Sequence, residues 1–154
     1  MIQALSTANH AYYLEKGFAV AYHYSENSRI VTAFWQQGEI IVSPKSFCEQ
    51  SPSNENIQLT INGELHGLSY TSVTKLFETF QVANTLAQVI ISRYHADSEE
   101  RIIDLHKLDA WESYTKLIRK YPRIELNASQ ELIASYLNIT PQSLSRLKRK
   151  RYQS

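Results

Sequence analysis

The sequence contains one cysteine, Cys48, and no apolar run of membrane-spanning length. A single cysteine excludes an intrachain disulfide framework, a structural zinc site and a cysteine-ligated iron–sulfur cluster, and it suits a reducing cytosol. The longest apolar stretch, residues 82–91, is interrupted by polar side chains, and the N-terminus lacks the basic and apolar regions of a signal peptide. We therefore expect a cytoplasmic protein that has no contact with a membrane.

Catalytic and metal-binding patterns are also missing. The scattered histidines are His10, His23, His66, His95 and His106. They form no HxH or HExxH pattern, and no Gly-rich phosphate loop or Gly-x-Ser-x-Gly elbow occurs. These absences argue against an enzyme and against a bound metal or cofactor.

The charges are distributed unevenly along the chain. Residues 1–112 carry 13 acidic and 7 basic side chains, a net charge of −6, whereas residues 113–154 carry 2 acidic and 9 basic side chains, a net charge of +7. A basic C-terminal quarter in a chain of net charge +1 indicates a polyanionic partner for that quarter alone. The alternative is that the basic run 146–151 is a solvated tail.

The C-terminal stretch has the pattern of two helices joined by a tight turn. The first predicted helix, residues 129–137, has an apolar face of leucine, isoleucine and tyrosine side chains. Asn138 suits the left-handed conformation that reverses the chain, and Ile139 fits as a buried plug in the turn. Thr140 suits an N-cap, and Pro141 suits the first position of the second helix.

The second predicted helix turns Leu144 and Leu147 inward. Its outward side chains are Gln142, Ser143, Ser145, Arg146, Arg149 and Lys150. An outward face of Gln, Ser and Arg is what a helix needs to read bases in the DNA major groove. The alternative is an ordinary helical hairpin with a solvated basic end.

Short strands are predicted in the first part of the chain, where aromatic and β-branched residues alternate with polar turns. Residues 11–24 are predicted to form two short strands joined at residues 15–17, and the other runs are residues 29–35, 40–42, 57–61 and 64–69. Asn62-Gly63 is a two-residue hairpin signal, so the last two runs are predicted to pair with each other. Residues 43–56 are predicted to form an irregular loop. The spacing of the runs argues for an antiparallel sandwich or barrel.

The periodicity changes to that of helices after the last strand. Helices are predicted over residues 70–80, 82–106 and 110–121, with a linker at residues 123–128. The apolar positions of the long middle helix wrap more than one face, which favours one face on the sheet and another against a second copy of the chain. The alternative is a helix that is buried in a single core.

The stretch Ile133-Ala-Ser-Tyr-Leu-Asn-Ile-Thr-Pro-Gln-Ser-Leu-Ser-Arg146 resembles the LASYLGITPETLSR signature of the Bacteroidetes-type branch of the Crp/Fnr family of bacterial transcription regulators. Asn138 replaces the usual Gly of that signature. Gly38-Glu39, Pro52-Ser-Asn-Glu-Asn56 and Leu68-Ser-Tyr70 resemble the cyclic-nucleotide-binding-like β-roll of the same branch. The resemblance covers about residues 12–150.

The resemblance implies an α+β fold with three parts. An antiparallel β-roll would occupy residues 1–80, a long connecting and dimerisation helix residues 81–107, and a helix-turn-helix DNA-binding domain residues 108–154. Family members have several more strands and a helix before the point where this sequence begins, so the β-roll is expected to be incomplete on its N-terminal side and its ligand cavity to be open or absent. Many relatives also carry a β-hairpin after the recognition helix, and backbone contacts from such a wing are not expected here.

The resemblance also implies roles for side chains of the second helix, in a homodimer bound to double-stranded DNA. The base-reading residues would be Gln142, Ser145 and Arg146, and Arg146 is the best of them because its fork matches the two acceptors of guanine. The phosphate contacts would come from Thr140, Ser143, Lys148, Arg149 and Lys150. RNA polymerase and an unidentified small-molecule effector are the further partners that the resemblance suggests.

Nucleotide-binding relatives hold the ribose with a Glu that follows a Gly, and the phosphate with an Arg that is followed by Ser or Thr. Glu39 matches the first position, whereas Ser53 and Asn54 stand where the Arg and its neighbour would be. No arginine occurs in residues 30–92, so a buried phosphate would lack its bidentate partner. We therefore predict no cyclic AMP binding and interpret Glu39 as a turn carboxylate. Glu39, Ser53 and Asn54 are the candidates for binding another ligand.

The sequence as a whole predicts a sequence-specific DNA-binding transcription regulator of Crp/Fnr type that does not respond to cyclic AMP. The alternative is an interaction module, in which the β-roll binds a protein or a small ligand and the C-terminal hairpin is vestigial. A steep fall of DNA affinity with salt, together with sequence selectivity, would favour the regulator.

Overall fold

A computed structural model of the chain describes residues 3–26 and 28–152, without the side chains of residues 150–152. Its first part is built from short strands and one short helix. In chain order they are β1 (His10–Lys16), β2 (Phe18–Ser25), β3 (Ser28–Gln36), β4 (Ile40–Ile41), α1 (Pro44–Glu49), β5 (Asn56–Leu59) and β6 (Glu64–Ser69). The predicted strands are confirmed, with shifts of a residue or two at their ends.

The strands form two antiparallel three-stranded sheets, in the orders β4-β1-β6 and β3-β2-β5. The two sheets share a core of buried side chains. Its members include Leu14, Ala19, Ala21, Trp35, Ile41, Phe47 and Ile57. Because both sheets contribute to this core, the strands form a roll, and the predicted α+β class with an antiparallel β-roll is confirmed.

The hairpin predicted between the last two strands is wrong. β5 pairs with β2, and β6 pairs with β1, so the two strands lie in different sheets. A two-residue type I′ turn needs positive φ at both central residues, and neither Asn62 nor Gly63 has it. Gly63 instead lies against the β1–β2 turn, where an added Cβ would come within 2.3 Å of the Lys16 carbonyl oxygen.

The irregular loop predicted for residues 43–56 contains the helix α1. Pro44 occupies its first turn, where the missing N–H has no helical partner, and Gln50 ends it in the left-handed conformation with φ of 49°. The helix places Phe47 in the core between the sheets. A six-residue helix has too few apolar positions for its periodicity to be recognised in the sequence.

The second part of the chain is helical. Its helices are α2 (Tyr70–Thr79), α3 (Gln81–Lys107), α4 (Ala110–Lys120), α5 (Ile124–Asn127), α6 (Gln130–Tyr136) and α7 (Pro141–Tyr152). All were predicted except α5, which lies in the expected linker. Within the described residues, no helix is both long and apolar enough to cross a membrane.

A second core joins the C-terminal helices to the outer face of the β3-β2-β5 sheet. The sheet contributes Phe18, Val20, Tyr22, Val31 and Phe34. The helices contribute Tyr114, Leu117, Tyr121, Ile124, Leu132, Ile133, Ala134, Leu137 and Leu144. The helix pair α6–α7 is therefore mounted on one sheet of the roll.

Candidate nucleic-acid interface

The helix α6 begins and ends as its sequence predicts. The Ser129 hydroxyl accepts a hydrogen bond from the backbone N–H of Leu132 at 3.3 Å, which caps the first turn. Ile133 is completely buried. Asn138 follows the helix with φ of 54°, and the next N–H, of Ile139, donates to the Ala134 carbonyl at 3.0 Å. The left-handed residue thus turns the chain between the two helices.

The helix α7 also starts where it was predicted. The Thr140 hydroxyl accepts a hydrogen bond from the backbone N–H of Ser143 at 3.1 Å, and Pro141 is the first helical residue. Leu144 is fully buried and Leu147 packs against the same core, so one face of α7 lies against the protein. The N-cap, the first position and the inward face of α7 are confirmed.

The opposite face of α7 carries the residues that were predicted to read bases. Gln142 and Arg146 are exposed on this face. Ser145 lies at the edge of this face towards α6 and is half-buried, and its hydroxyl accepts a 2.6 Å hydrogen bond from the Gln130 side chain of α6. Gln130 also donates to the Pro141 carbonyl at 2.8 Å, which fixes the start of α7 against α6.

The predicted phosphate contacts differ in how free their side chains are. Thr140 donates its hydroxyl proton to Ser143 Oγ at 3.0 Å, so both hydroxyls belong to the cap. Lys148 Nζ lies 3.1 Å from Glu125 Oε1, with only 24% of the lysine side chain exposed. Arg149 is exposed. Lys150 belongs to α7, but its side chain lies outside the described part of the chain.

Side-chain hydrogen bonds fix α6 to the edge strand β3. The Ser135 hydroxyl donates to the Arg29 carbonyl at 2.6 Å and accepts from the Val31 N–H at 3.0 Å. Arg101 of α3 donates to the carbonyls of Val31, at 2.8 Å, and Tyr136, at 3.1 Å, and its guanidinium lies 4.5 Å from the centre of the Tyr136 ring. The long helix, the edge strand and α6 therefore meet at one arginine, a contact that no local sequence signal predicts.

The candidate ligand residues of the roll bond to separate partners. Glu39 accepts a 2.7 Å hydrogen bond from the Gln36 N–H, and burial raises the pKa of its carboxyl above the ordinary value. Ser53 is buried and bonds to the N–H and carbonyl of Glu55, at 3.1 and 3.0 Å, whereas Asn54 is exposed. Glu39 thus closes the turn before β4, as its interpretation as a turn carboxylate requires.

Tyr94 attaches α3 to the roll. Its hydroxyl accepts hydrogen bonds from the Trp35 indole at 2.9 Å and the Val42 N–H at 3.2 Å, and it donates to the Ile40 carbonyl at 2.7 Å. Burial raises the pKa of this phenol above its ordinary value. A half-buried tyrosine whose hydroxyl makes three hydrogen bonds fixes the position of the long helix relative to the sheets.

A cavity of about 420 Å³ lies between β3, α3 and the C-terminal helices. Its wall includes aromatic rings, the carboxylates of Glu39 and Asp97, and the cations of Arg93, Arg101 and Lys120. The Nε atom of Arg101 is buried and has no hydrogen-bond partner in the described residues. The sequence had no signal for this cavity, because its wall comes from segments that are far apart in the chain.

The architecture consists of a β-roll, a long helix and a helix pair that packs on one sheet. We compared it with known proteins to find which of them share this fold. No family model and no curated protein matches the chain. FixK2 from Bradyrhizobium japonicum aligns with a TM-score of 0.85 and 16% identity, over 99% of this chain and 79% of that chain.

Two further solved structures give the same result. The c-di-GMP-responsive global regulator CLP from Xanthomonas campestris has a TM-score of 0.73 at 16% identity, over 99% of this chain and 82% of that one. A transcriptional regulator of the crp/fnr family from Eubacterium rectale has a TM-score of 0.72 at 12% identity, over 96% and 73% of the two chains. The chain therefore has the fold of Crp/Fnr-type regulators.

Proposed function

We propose that the protein is a sequence-specific DNA-binding transcription regulator of Crp/Fnr type. One observation carries the proposal: α7 buries Leu144 against the core while it exposes Gln142, Arg146 and Arg149 on its other face. A helix that is fixed on one side and presents Gln and Arg on the other suits the major groove. The signature over residues 133–146 supports the finer assignment to the Bacteroidetes-type branch.

The proposal divides the chain at the ends of the long helix. Residues 1–80 form the roll, residues 81–107 the connecting helix, and residues 108–154 the DNA-reading part, in which α6 and α7 act as a helix-turn-helix. The shared core between the β3-β2-β5 sheet and the C-terminal helices means that the first and third parts are in contact.

The protein is proposed to act as a homodimer through α3. None of the residues of this 27-residue helix is buried within the chain. Val82, Leu86 and Val89 are 74%, 60% and 45% exposed, and their spacing places them on one stripe. An apolar stripe of this kind on a long helix suits a second copy, which would place two α7 helices about 34 Å apart along the DNA.

The dimer is tested by sedimentation equilibrium of the whole chain. We expect a dimer for the natural sequence and dissociation for Leu86→Lys, because a charge would replace an apolar side chain in the seam. His95→Lys, at an exposed position on another side of the helix, is the control. A monomeric natural protein at micromolar concentration would contradict this part of the proposal.

The base contacts are assigned to Gln142, Ser145 and Arg146. Ser145 accepts a hydrogen bond from Gln130, so its own proton is left to donate to a base. The phosphate contacts are assigned to Thr140, Ser143, Lys148, Arg149 and Lys150. Among these we expect Lys148 to contribute less than Arg149, because Glu125 competes for its ammonium group.

Selection of bound duplexes from a random DNA library tests the function. We expect a preferred sequence and an affinity that falls steeply with salt. Arg146→Ala should weaken binding to that sequence by roughly 1–3 kcal/mol and relax the preference at one base position. If Arg146→Ala weakens all sequences equally, Arg146 contacts a phosphate and the assignment is wrong.

A small-molecule effector is proposed to occupy the cavity between β3, α3 and the C-terminal helices. A ligand acceptor there would satisfy the buried Arg101 Nε. Cyclic AMP is not expected to bind in the roll, since residues 30–92 contain no arginine for its phosphate. Titration calorimetry with cyclic AMP should show no heat of binding, and micromolar affinity would refute this point. RNA polymerase is a further proposed partner.

The second candidate is an interaction module in which the roll binds a protein or a small ligand. The Tyr13 and Leu68 side chains of the β4-β1-β6 sheet are 44% and 50% exposed. They form an apolar surface that favours this second candidate. DNA affinity that is independent of sequence and of Arg146 would favour this candidate over the regulator.

A further inference from the structure

The end of the β2–β3 hairpin lies beside the start of α7. A groove separates them, with Ser28, Arg29 and Ile30 on the hairpin side and Asn138 and Thr140 on the helix side. The hairpin belongs to the roll, yet it borders the turn that positions the proposed reading helix. It therefore lies where DNA that enters along α7 would pass.

The cation of this hairpin lies on the same sheet face as the C-terminal helices. Tyr22 pairs with Val31 across the strands, and both are buried in the core under these helices. The next pair on that face, towards the hairpin end, is Tyr24 with Arg29. Tyr24 is 58% exposed, and Arg29 is exposed. The face that carries α6 thus continues beyond the helices as an aromatic and cationic surface.

The Arg29 side chain is supported by aromatic rings. Its guanidinium carbon lies 5.0 Å from the centre of the Tyr22 ring and 6.0 Å from the centre of the Tyr24 ring. Stacking of this kind orients the guanidinium without using its N–H donors. No hydrogen bond to another described residue occupies these donors, so they stay available for an anion.

The hairpin is joined to α6 through its backbone. Ser135 bonds to the Arg29 carbonyl at 2.6 Å and to the Val31 N–H at 3.0 Å. Gln130 in turn joins α6 to Pro141 and Ser145 of α7. Arg29 therefore keeps a defined position relative to α7, which a phosphate contact beside a reading helix requires.

We propose that Arg29, supported by Tyr24, contacts the phosphate backbone of the DNA that α7 reads. The contact lets the roll take part in DNA binding directly. This inference rests on the proposed function, since it assumes that α7 enters DNA. A guanidinium suits a phosphate because its planar fork makes charge-assisted hydrogen bonds to two oxygens.

Glu131 is the anionic residue on the helix side of this groove. Hydrogen bonds from its own backbone N–H and from the Ser129 hydroxyl lower the pKa of its carboxyl, so it is negatively charged at neutral pH. Its repulsion places the phosphate on the hairpin side of the groove, next to Arg29. The two residues should therefore have opposite effects on DNA affinity.

Arg29→Ala and Glu131→Gln test the contact in the whole protein. The probe is a random-sequence duplex of about 30 base pairs, long enough for two half-sites one turn apart. We expect Arg29→Ala to weaken binding about three- to tenfold, equally for random and selected sequences, and to reduce the slope of log K against log salt by about one. Glu131→Gln should strengthen binding.

Two matched variants control for charge and fold. Arg29→Lys keeps the charge and should keep most of the salt slope. Lys75→Ala removes a cation from α2, which packs against α3 and β6, and should leave the affinity unchanged. Circular dichroism of each variant checks that the fold is retained.

The outcomes separate this inference from the proposed function. If the natural protein binds DNA and Arg146→Ala weakens it, but Arg29→Ala has the affinity and salt slope of the natural protein, the hairpin contact is wrong and the function stands. If Lys75→Ala binds DNA as weakly as Arg29→Ala does, the loss of affinity comes from net charge and the proposed contact is again wrong. If the natural protein shows no salt-dependent DNA binding, the function itself is wrong, and the contact with it.

Discussion

The two sheets of the roll share one core but differ on their outer faces. The outer face of β4-β1-β6 is largely bare: Tyr13 and Leu68 are 44% and 50% exposed, and no residue of β6 is buried. In β3-β2-β5, five successive residues of β2, from Phe18 to Tyr22, are buried. A strand that is covered on both faces needs apolar side chains at successive positions, whereas a strand with one free face alternates.

The difference shows where the roll can influence the C-terminal helices. The covered sheet holds α6 through Ser135 and Arg101, and its hairpin end carries Arg29 to the start of α7. These contacts are the route by which a change in this sheet would act on the helices. The bare sheet has no such connection in the described residues.

The largest expected effect is on the core between the covered sheet and α6. Ile133→Ala should lower the free energy of unfolding by about 2–5 kcal/mol, because it removes a fully buried side chain from a packed core. Leu68→Ala on the bare sheet should change it by about 0.5 kcal/mol or less. Urea unfolding of both variants measures the difference, and equal losses would mean that the two outer faces are equivalent.

A smaller effect is expected from Arg101, which connects α3, β3 and α6. Arg101→Ala removes two hydrogen bonds and the stacking on Tyr136, and should cost about 1.5–3 kcal/mol of unfolding free energy. Arg93→Ala, an exposed cation on the same helix, serves as the control and should cost little. If the two variants lose the same stability, the contact with the covered sheet contributes nothing beyond a surface charge.

Tyr121→Phe should cost about 1 kcal/mol. The phenol donates a buried 2.8 Å hydrogen bond to the Phe34 carbonyl of β3, and the substitution leaves that carbonyl without this donor. Tyr13→Phe is the matched change on the bare sheet, where water can replace any lost bond. Thermal unfolding compares the pair, and an equal or larger loss for Tyr13→Phe would contradict the role of the covered face.

The smallest effect concerns the pH dependence of stability. Because burial raises the pKa of Glu39 in the folded state, the folded protein holds this proton more tightly than the unfolded chain does. The protonated Glu39 carboxyl therefore stabilises the fold below its ordinary pKa, and this stabilisation is lost as pH rises through the pKa of the folded state. Glu39→Gln should flatten the fall of stability with rising pH in that window. Urea unfolding between acidic and neutral pH measures this. If the free energy of unfolding falls as steeply with pH in Glu39→Gln as in the natural protein, the prediction is wrong.

Much of the fold follows from local signals. The helices α2, α3, α4, α6 and α7 were predicted from apolar periodicity and caps, and the strands from runs of aromatic and β-branched residues. α1 and α5 were missed because each is too short to show a period. The β5–β6 hairpin was wrong because Gly63 serves a close approach to the Lys16 carbonyl rather than a turn with positive φ.

The candidate site divides in the same way. The exposure of Gln142 and Arg146 followed from the spacing of Leu144 and Leu147 along one helix. The hydrogen bond from Gln130 to Ser145 and the ion pair of Lys148 with Glu125 did not, because their partners lie on other helices. The cavity beside Arg101 was likewise unforeseen, since its wall is assembled from separate segments.

Local sequence is sufficient to specify the helix pair at the C-terminus. Asn138, Thr140 and Pro141 act on their own backbone, and the energies of a turn, a cap and a first helical residue depend on neighbours within a few positions. Contacts between distant segments place this pair on the β3-β2-β5 sheet, with the Ser135 hydroxyl bonded to the Arg29 carbonyl. The position of the helix pair depends on which apolar sheet face is available for packing. Pairing between strands that are distant in sequence determines that face.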